Sequence, residues 1–229
     1  MQFYPAANRI VSTLKTPTRH PGRPREFDIE EALDKAMLLF WEHGYDGTSL
    51  AELSATMGIT KPSLYAAFGD KEQLFEAAVA RYAHGPNAFT EKAFTLPTAR
   101  AVVLALLEGV VNVSTLPSGP RGCLDTQATL AQTAEVRDSA TDRRLVRERR
   151  LEVRFREAQR TGELPKTTDC AALARYVTSV GFGITVQGAS GESREHLKAV
   201  VDLAMSLWPG KQVAKAKAKP GRGGGKKTK

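Results

Sequence analysis

Apolar residues recur along most of the chain at the three- and four-residue spacing of helices buried on one face. After Asp28 the positions Ile29, Ala32, Leu33, Ala36, Leu39 and Phe40 form such a stripe; Asp28 can cap the following amides while Glu31 reaches back, and Gly44 is the stop. Residues 48–69 break into two short helical pieces. Asp70 then opens a helix carrying Leu74, Phe75, Ala78, Val79 and Tyr82, which ends near Gly85 and Pro86. Longer helices are predicted over residues 98–114, 124–133, 135–161, 169–189 and 194–208, separated by Pro117, Gly119 and Pro120, by Gly162 and Pro165, and by Gly188 and Gly191. No segment alternates with period two for long enough to make a strand. The predicted fold class is therefore all-α, an N-terminal domain built on three helices followed by a C-terminal helical bundle, about nine helices in all.

Residues 48–68 add a motif to that pattern. Thr48 is expected to cap a short helix presenting Leu50 and Leu53; Ser54 stands four residues before Gly58, and Ile59 and Leu64 follow, which is the spacing of a helix-turn-helix. Two helices that cross closely need a small side chain at the crossing, and the turn needs a residue tolerant of positive φ, which Gly58 supplies. Thr60 can cap the second helix, with Pro62 in the first turn where a missing amide costs little. This offers Thr60, Lys61, Ser63 and Tyr65 outward and Leu64 and Phe68 inward. In such motifs the second helix enters the DNA major groove, with residues near its start reaching base edges and phosphates. A helical hairpin inside an ordinary bundle would need the glycine, the caps and this polar face to coincide by accident.

Three runs carry a family resemblance: Gly44-Tyr-Asp-Gly-Thr-Ser-Leu50, Gly58-Ile-Thr-Lys-Pro-Ser-Leu-Tyr65 and Phe68-Gly-Asp-Lys-Glu-Gln-Leu-Phe75. From Asp28 to about Tyr82 the chain resembles the DNA-binding domain of the TetR/AcrR repressors. The resemblance implies phosphate contacts at Thr48, Tyr65 and Lys71, and places Thr60, Lys61 and Ser63 on positions facing bases or backbone. It departs at Ala66 and Ala67, where many relatives have His-Tyr. The C-terminal half is similar to the family's variable ligand-binding domain only in pattern, at Gly162-Glu-Leu-Pro165 and Leu203-Ala-Met-Ser-Leu-Trp208. It also implies a homodimer joined by a four-helix interface of the last two helices, suited to a palindromic operator.

Charge changes the picture less than its total suggests. The net +8 equals the contribution of residues 210–229, which hold eight basic residues and no acid; residues 1–27 are basic, and residues 28–209 mildly acidic. The motif itself, residues 48–71, is neutral. The tail cannot build a core and is expected to be disordered, lending nonspecific DNA affinity through counterion release, with an anionic membrane surface as the lesser partner. Residues 1–27 read as a flexible basic arm. Within it, Pro21-Gly-Arg-Pro-Arg25 resembles the core of an AT-hook, so that Arg23 and Arg25 either enter a narrow minor groove or attract phosphate without order.

Other features are weaker. The arginine-rich stretch 135–161 reads as a solvated helix face with Glu152–Arg156 pairing, while Leu145, Leu151, Phe155 and Ala158 turn to the core. Cys123 and Cys170 lack metal-site spacing and read as inert buried thiols in preference to sensors. Phe89, Phe94, Leu106, Leu130, Phe155, Tyr176 and Phe182 could line a pocket or be plain core. No catalytic, nucleotide-binding or metal-ligating motif occurs, so no enzyme, metal or cofactor is expected. The longest apolar run, residues 101–107, is far below the ~20 residues of a membrane-spanning helix, and with no secretory signal the expected location is cytoplasmic. The expected function is a ligand-responsive, homodimeric DNA-binding repressor, with residues 28–85 binding DNA and residues 86–209 binding an effector and dimerising. The alternatives are a transcriptional activator, a regulator without a small-molecule ligand, or a nonspecific nucleoid-type DNA-binding protein.

Overall fold

The computed structural model describes residues 27–209, which form ten α-helices and no strand. The predicted arm, with Arg23 and Arg25, and the predicted tail from residue 210 lie outside the described residues, save for Phe27 at the arm's end. Helix α1 (Ile29–His43) starts at Asp28, whose carboxylate accepts from the Glu30 and Glu31 amides at 2.8 and 3.3 Å. Glu31 does not reach back to the cap; it pairs with Lys35 one turn on at 2.8 Å. The short helices α2 (Leu50–Met57) and α3 (Lys61–Phe68) and the longer α4 (Lys71–His84) follow where the pattern put them.

Helix α5 (Phe89–Phe94) is absent from the sequence pattern. Six residues with no side-chain cap do not hold a helix alone. Docking supplies what propensity lacks: Thr90 and Ala93 are buried, and Phe89 lies so close over Gly109 of α6 (Ala99–Ser114) that a Cβ there would fall 2.0 Å from its ring. Helix α7 (Leu124–Ala128) is shorter than predicted because the chain beyond it is captured by Asp46, which accepts from the Gln132 amide at 2.6 Å and the Thr133 hydroxyl at 3.1 Å. The remaining helices are α8 (Ala134–Arg160), α9 (Cys170–Ala189) and α10 (Arg194–Ser206).

Two apolar cores result. One gathers Phe40, Trp41, Leu53, Leu64, Phe75 and Tyr82 of α1–α4 and is completed by Leu124 and Ala128 of α7 and Val136 and Ala140 of α8. Its rings interlock edge to face, Phe40 with Phe75 at 5.0 Å and Trp41 with Tyr82 at 4.9 Å. The other joins α6, α9 and α10 to the second half of α8 through Leu107, Leu151, Phe155, Ile184, Leu197 and Trp208. Helix α8 thus belongs to both. Of the glycines in α9, Gly188 marks a real close approach, since a Cβ on it would lie 2.6 Å from that of Ser114.

The arginines of α8 correct the reading of a solvated face. Arg143 bonds Asp125 at 2.7 Å and Glu76 of α4 at 3.0 Å, Arg147 bonds the other oxygen of Asp125 at 2.8 Å, and Arg150 holds Glu91 of α5 at 2.6 Å. Local pairs accompany these: the expected Glu152–Arg156, with Arg144–Glu148 before it and Glu157–Arg160 after it. Asp125 is almost fully buried; burial pushes its carboxyl up, but the charges and hydrogen bonds of Arg147 and Arg143 more than reverse this and hold it below its ordinary value. Of the aromatic and apolar set that could line a pocket or be core, Leu106 and Phe155 are core with Phe94 packed against them, whereas Leu130 is 78% and Tyr176 41% exposed. Among the described residues no helix is long and apolar enough to cross a membrane.

Candidate nucleic-acid interface

The site is built from local sequence. Ser49, not Thr48, caps α2, accepting from the Glu52 amide at 3.2 Å while the Glu52 carboxylate accepts from the Ser49 amide at 2.8 Å. Thr48 is 1% exposed, and its hydroxyl already donates to the Gly44 carbonyl at 2.7 Å. The cap expected at Thr48 therefore falls to Ser49, and the Thr48 side chain secures the loop before α2. Gly58 ends α2 in the left-handed region at φ +70°, and the Ile59 amide returns to the Ser54 carbonyl at 3.0 Å.

Thr60 caps α3 as expected, its hydroxyl accepting from the Ser63 amide at 3.3 Å and lying 2.9 Å from the Ser63 hydroxyl, with Pro62 in the first turn. Leu64 is fully buried and anchors the helix, while Tyr65 is 48% exposed. Lys61 is exposed and precedes Tyr65 by four residues, one turn away on the same side of α3. Phe68 is half-buried, and Ala66 and Ala67 offer no hydrogen-bonding group. The outer start of α3 thus combines a cation, two hydroxyls and a phenol at the positive end of a helix dipole, an arrangement suited to phosphate and base edges.

Lys71 stands at the first position of α4, behind Asp70, which forms a capping box with Gln73. Its ammonium lies 4.2 Å from the centroid of the Tyr45 ring. Burial pushes its pKa down, against the pull of Asp46 and Glu52. The structure therefore brings Thr60, Lys61, Ser63 and Tyr65 together on α3, sets Lys71 at the neighbouring helix start, and withdraws Thr48. Ser49 was legible in its Ser-x-x-Glu spacing. The roles of Tyr45, Asp46 and Gln127, whose side-chain amide donates to the Trp41 carbonyl at 3.1 Å, depend on distant partners and left no local signal.

Comparison with known proteins shows the family. The family model described as bacterial regulatory proteins, tetR family, matches residues 32–78. The chain is 32% identical over 197 residues to the HTH-type transcriptional repressor ComR of Escherichia coli (strain K12), covering 82% of this chain and 92% of the relative. It is 30% identical over 200 residues to the HTH-type transcriptional repressor BdcR of the same strain, covering 83% and 93%. Among solved structures, a cysteine mutant of the TetR family transcriptional regulator CifR, complexed with 26 bp double-strand operator DNA, is 41% identical at a TM-score of 0.76, over 82% of this chain and 100% of that one. A helix-turn-helix of this geometry, within a similarity that spans most of both chains, makes this protein a member of the TetR family and a DNA-binding transcription regulator, not an enzyme.

Proposed function

We propose that the protein is a cytoplasmic, ligand-responsive homodimeric repressor that sets the start of α3 into successive major grooves of a palindromic operator. The observation that carries this reading is the face of α3, where Leu64 is buried and Thr60, Lys61, Ser63 and Tyr65 are left to the outer side. Tyr65 and Lys71 hold phosphates, and Lys61 and Ser63 set sequence preference; at the start of α2 the accessible hydroxyl is that of Ser49. ComR and BdcR are themselves transcriptional repressors. Residues 28–85 bind DNA, and residues 86–209 bind the effector and dimerise. Dimerisation is supported by exposed apolar side chains on α9 and at the end of α10, where Tyr176, Val186, Leu203 and Leu207 are 41%, 51%, 65% and 66% exposed. Arg23 and Arg25 add salt-sensitive affinity from the arm.

Effector binding shifts the dimer toward a state whose recognition helices no longer match the grooves, so DNA and effector weaken each other's binding equally. A second reading concerns how the effector acts. Cys123 is half-exposed, unlike the buried Cys170, and lies beside the Tyr82 phenol of α4, whose pKa is pushed well above its ordinary value by burial and then by Cys123. The CifR regulator in complex with operator DNA is itself a cysteine mutant. On this reading an electrophile modifies Cys123, and Cys123→Ser would repress without responding. The central test compares a duplex enriched by the protein from a random-sequence pool with an unselected duplex at matched salt. Specific binding is expected to be tighter by at least ~10³. Equal affinities would replace this reading by nonspecific, nucleoid-type binding.

A further inference from the structure

We propose that Tyr45 is a positioning residue for DNA binding: its ring holds the Lys71 ammonium at the start of α4 without neutralising it, leaving the charge available to a phosphate. The inference rests on the assignment of Lys71 to a phosphate contact made above. The ammonium sits 4.2 Å from the ring centroid. That ring is fixed from other sides. It stacks on Phe40 with centroids 6.2 Å apart and planes at 13°, and meets Phe75 edge to face at 5.2 Å and 76°; both phenylalanines are fully buried. The next residue, Asp46, is held by the Gln132 amide and the Thr133 hydroxyl, so the backbone that carries the ring is tied to the chain leading into α8.

A lysine in this place needs a reason. At the first position of a helix the dipole presents its positive end, where a cation is disfavoured. Partial burial disfavours the charge further. Asp46 and Glu52 favour the charge from a distance, but among the described residues no carboxylate forms an ion pair with it. Such a partner would orient the side chain but would cancel its charge and repel an arriving phosphate. The face of an aromatic ring attracts a cation through its quadrupole and carries no net charge. Tyr45 thus narrows the positions open to the ammonium before DNA arrives, so less side-chain freedom is lost on binding.

The test uses the full chain and a duplex enriched by the wild-type protein from a random-sequence pool, with affinity measured across a salt series. Tyr45→Phe and a variant with pentafluorophenylalanine at position 45 keep the ring in place but give its face opposite electrostatic character. Tyr45→Phe is expected to bind within about twofold of wild type and the fluorinated variant about two- to fivefold more weakly, with Tyr45→Leu, which lacks a ring, behaving like the latter. In a Lys71→Ala background the Phe and fluorinated variants should bind alike. Equal affinities of these two with Lys71 present would overturn the proposal, and so would an undiminished difference between them with Lys71 absent. A Lys71→Ala protein that binds with wild-type affinity and salt dependence would overturn the phosphate assignment as well, which separates the two failures.

Discussion

Gly58 and Gly188 are required for opposite reasons. Gly58 adopts φ +70°, and a Cβ built on it would meet nothing within 4 Å, so its demand is on the backbone alone. Gly188 is helical, but a Cβ there would lie 2.6 Å from the Ser114 Cβ and 2.9 Å from its carbonyl. Gly58→Ala should cost about 1–2 kcal/mol through the left-handed conformation, and Gly188→Ala a similar 1–3 kcal/mol by forcing α9 off α6. Urea unfolding measures both losses. DNA binding tells them apart, because only the first change tilts α3. At the interface itself, Lys71→Ala should weaken binding to all sequences and lower the salt slope by about 1. An unchanged slope would remove Lys71 from the phosphate contacts. The contrast between Thr48 and Ser49 shows the limit of reading residues singly. Both are small hydroxyl side chains before the same helix, and which one faces outward is set by the Gly44 carbonyl to which Thr48 donates at 2.7 Å.

Helix α8 is the element that the amino-acid pattern described least well. Its arginines look alike in sequence, yet Arg143 and Arg147 converge on the buried Asp125 and Arg143 also reaches Glu76 of α4, whereas Arg156 and Arg160 pair locally in solvent. Replacing Asp125 by Asn leaves two partly buried guanidinium groups short of their partner and should destabilise the fold by about 3 kcal/mol, seen as a lower denaturant midpoint. The same carboxyl gives the acid response its sign. Because its folded pKa lies below the unfolded value, its stabilisation is present at pH above the ordinary carboxylate range and is lost as pH falls through the folded pKa. Wild type should therefore lose more of its stability than Asp125→Asn between neutral and strongly acidic pH. Parallel acid profiles would show that Asp125 is not the group responsible. By its position this network ties the first half of α8 to α4 and α7.

On the scale of the whole molecule, the exposed apolar side chains on α9 and at the end of α10 predict assembly. Leu203→Glu with Leu207→Glu should give a monomer by analytical ultracentrifugation, with its helical signal kept, and should abolish tight binding to a two-half-site duplex. A dimer surviving both changes would move the interface elsewhere. The +8 net charge also belongs to this scale. Removing residues 210–229 should weaken binding to all DNA while leaving sequence preference in place, since the helix-turn-helix segment itself is neutral. What the sequence determined by itself was local: the all-helical class, the helix boundaries of the DNA-binding unit, the turn at Gly58, the cap at Thr60 and the outward set on α3. Spacing, capping and backbone preference act within a few residues, and those are written in the chain. The tertiary structure alone decided that α7 and half of α8 complete the core of the DNA-binding helices, that α5 exists, that Thr48 turns inward, and that Tyr45 carries Lys71. Each of these depends on groups far apart in the chain, whose meeting is fixed only when the apolar faces find one another and the buried charges are matched.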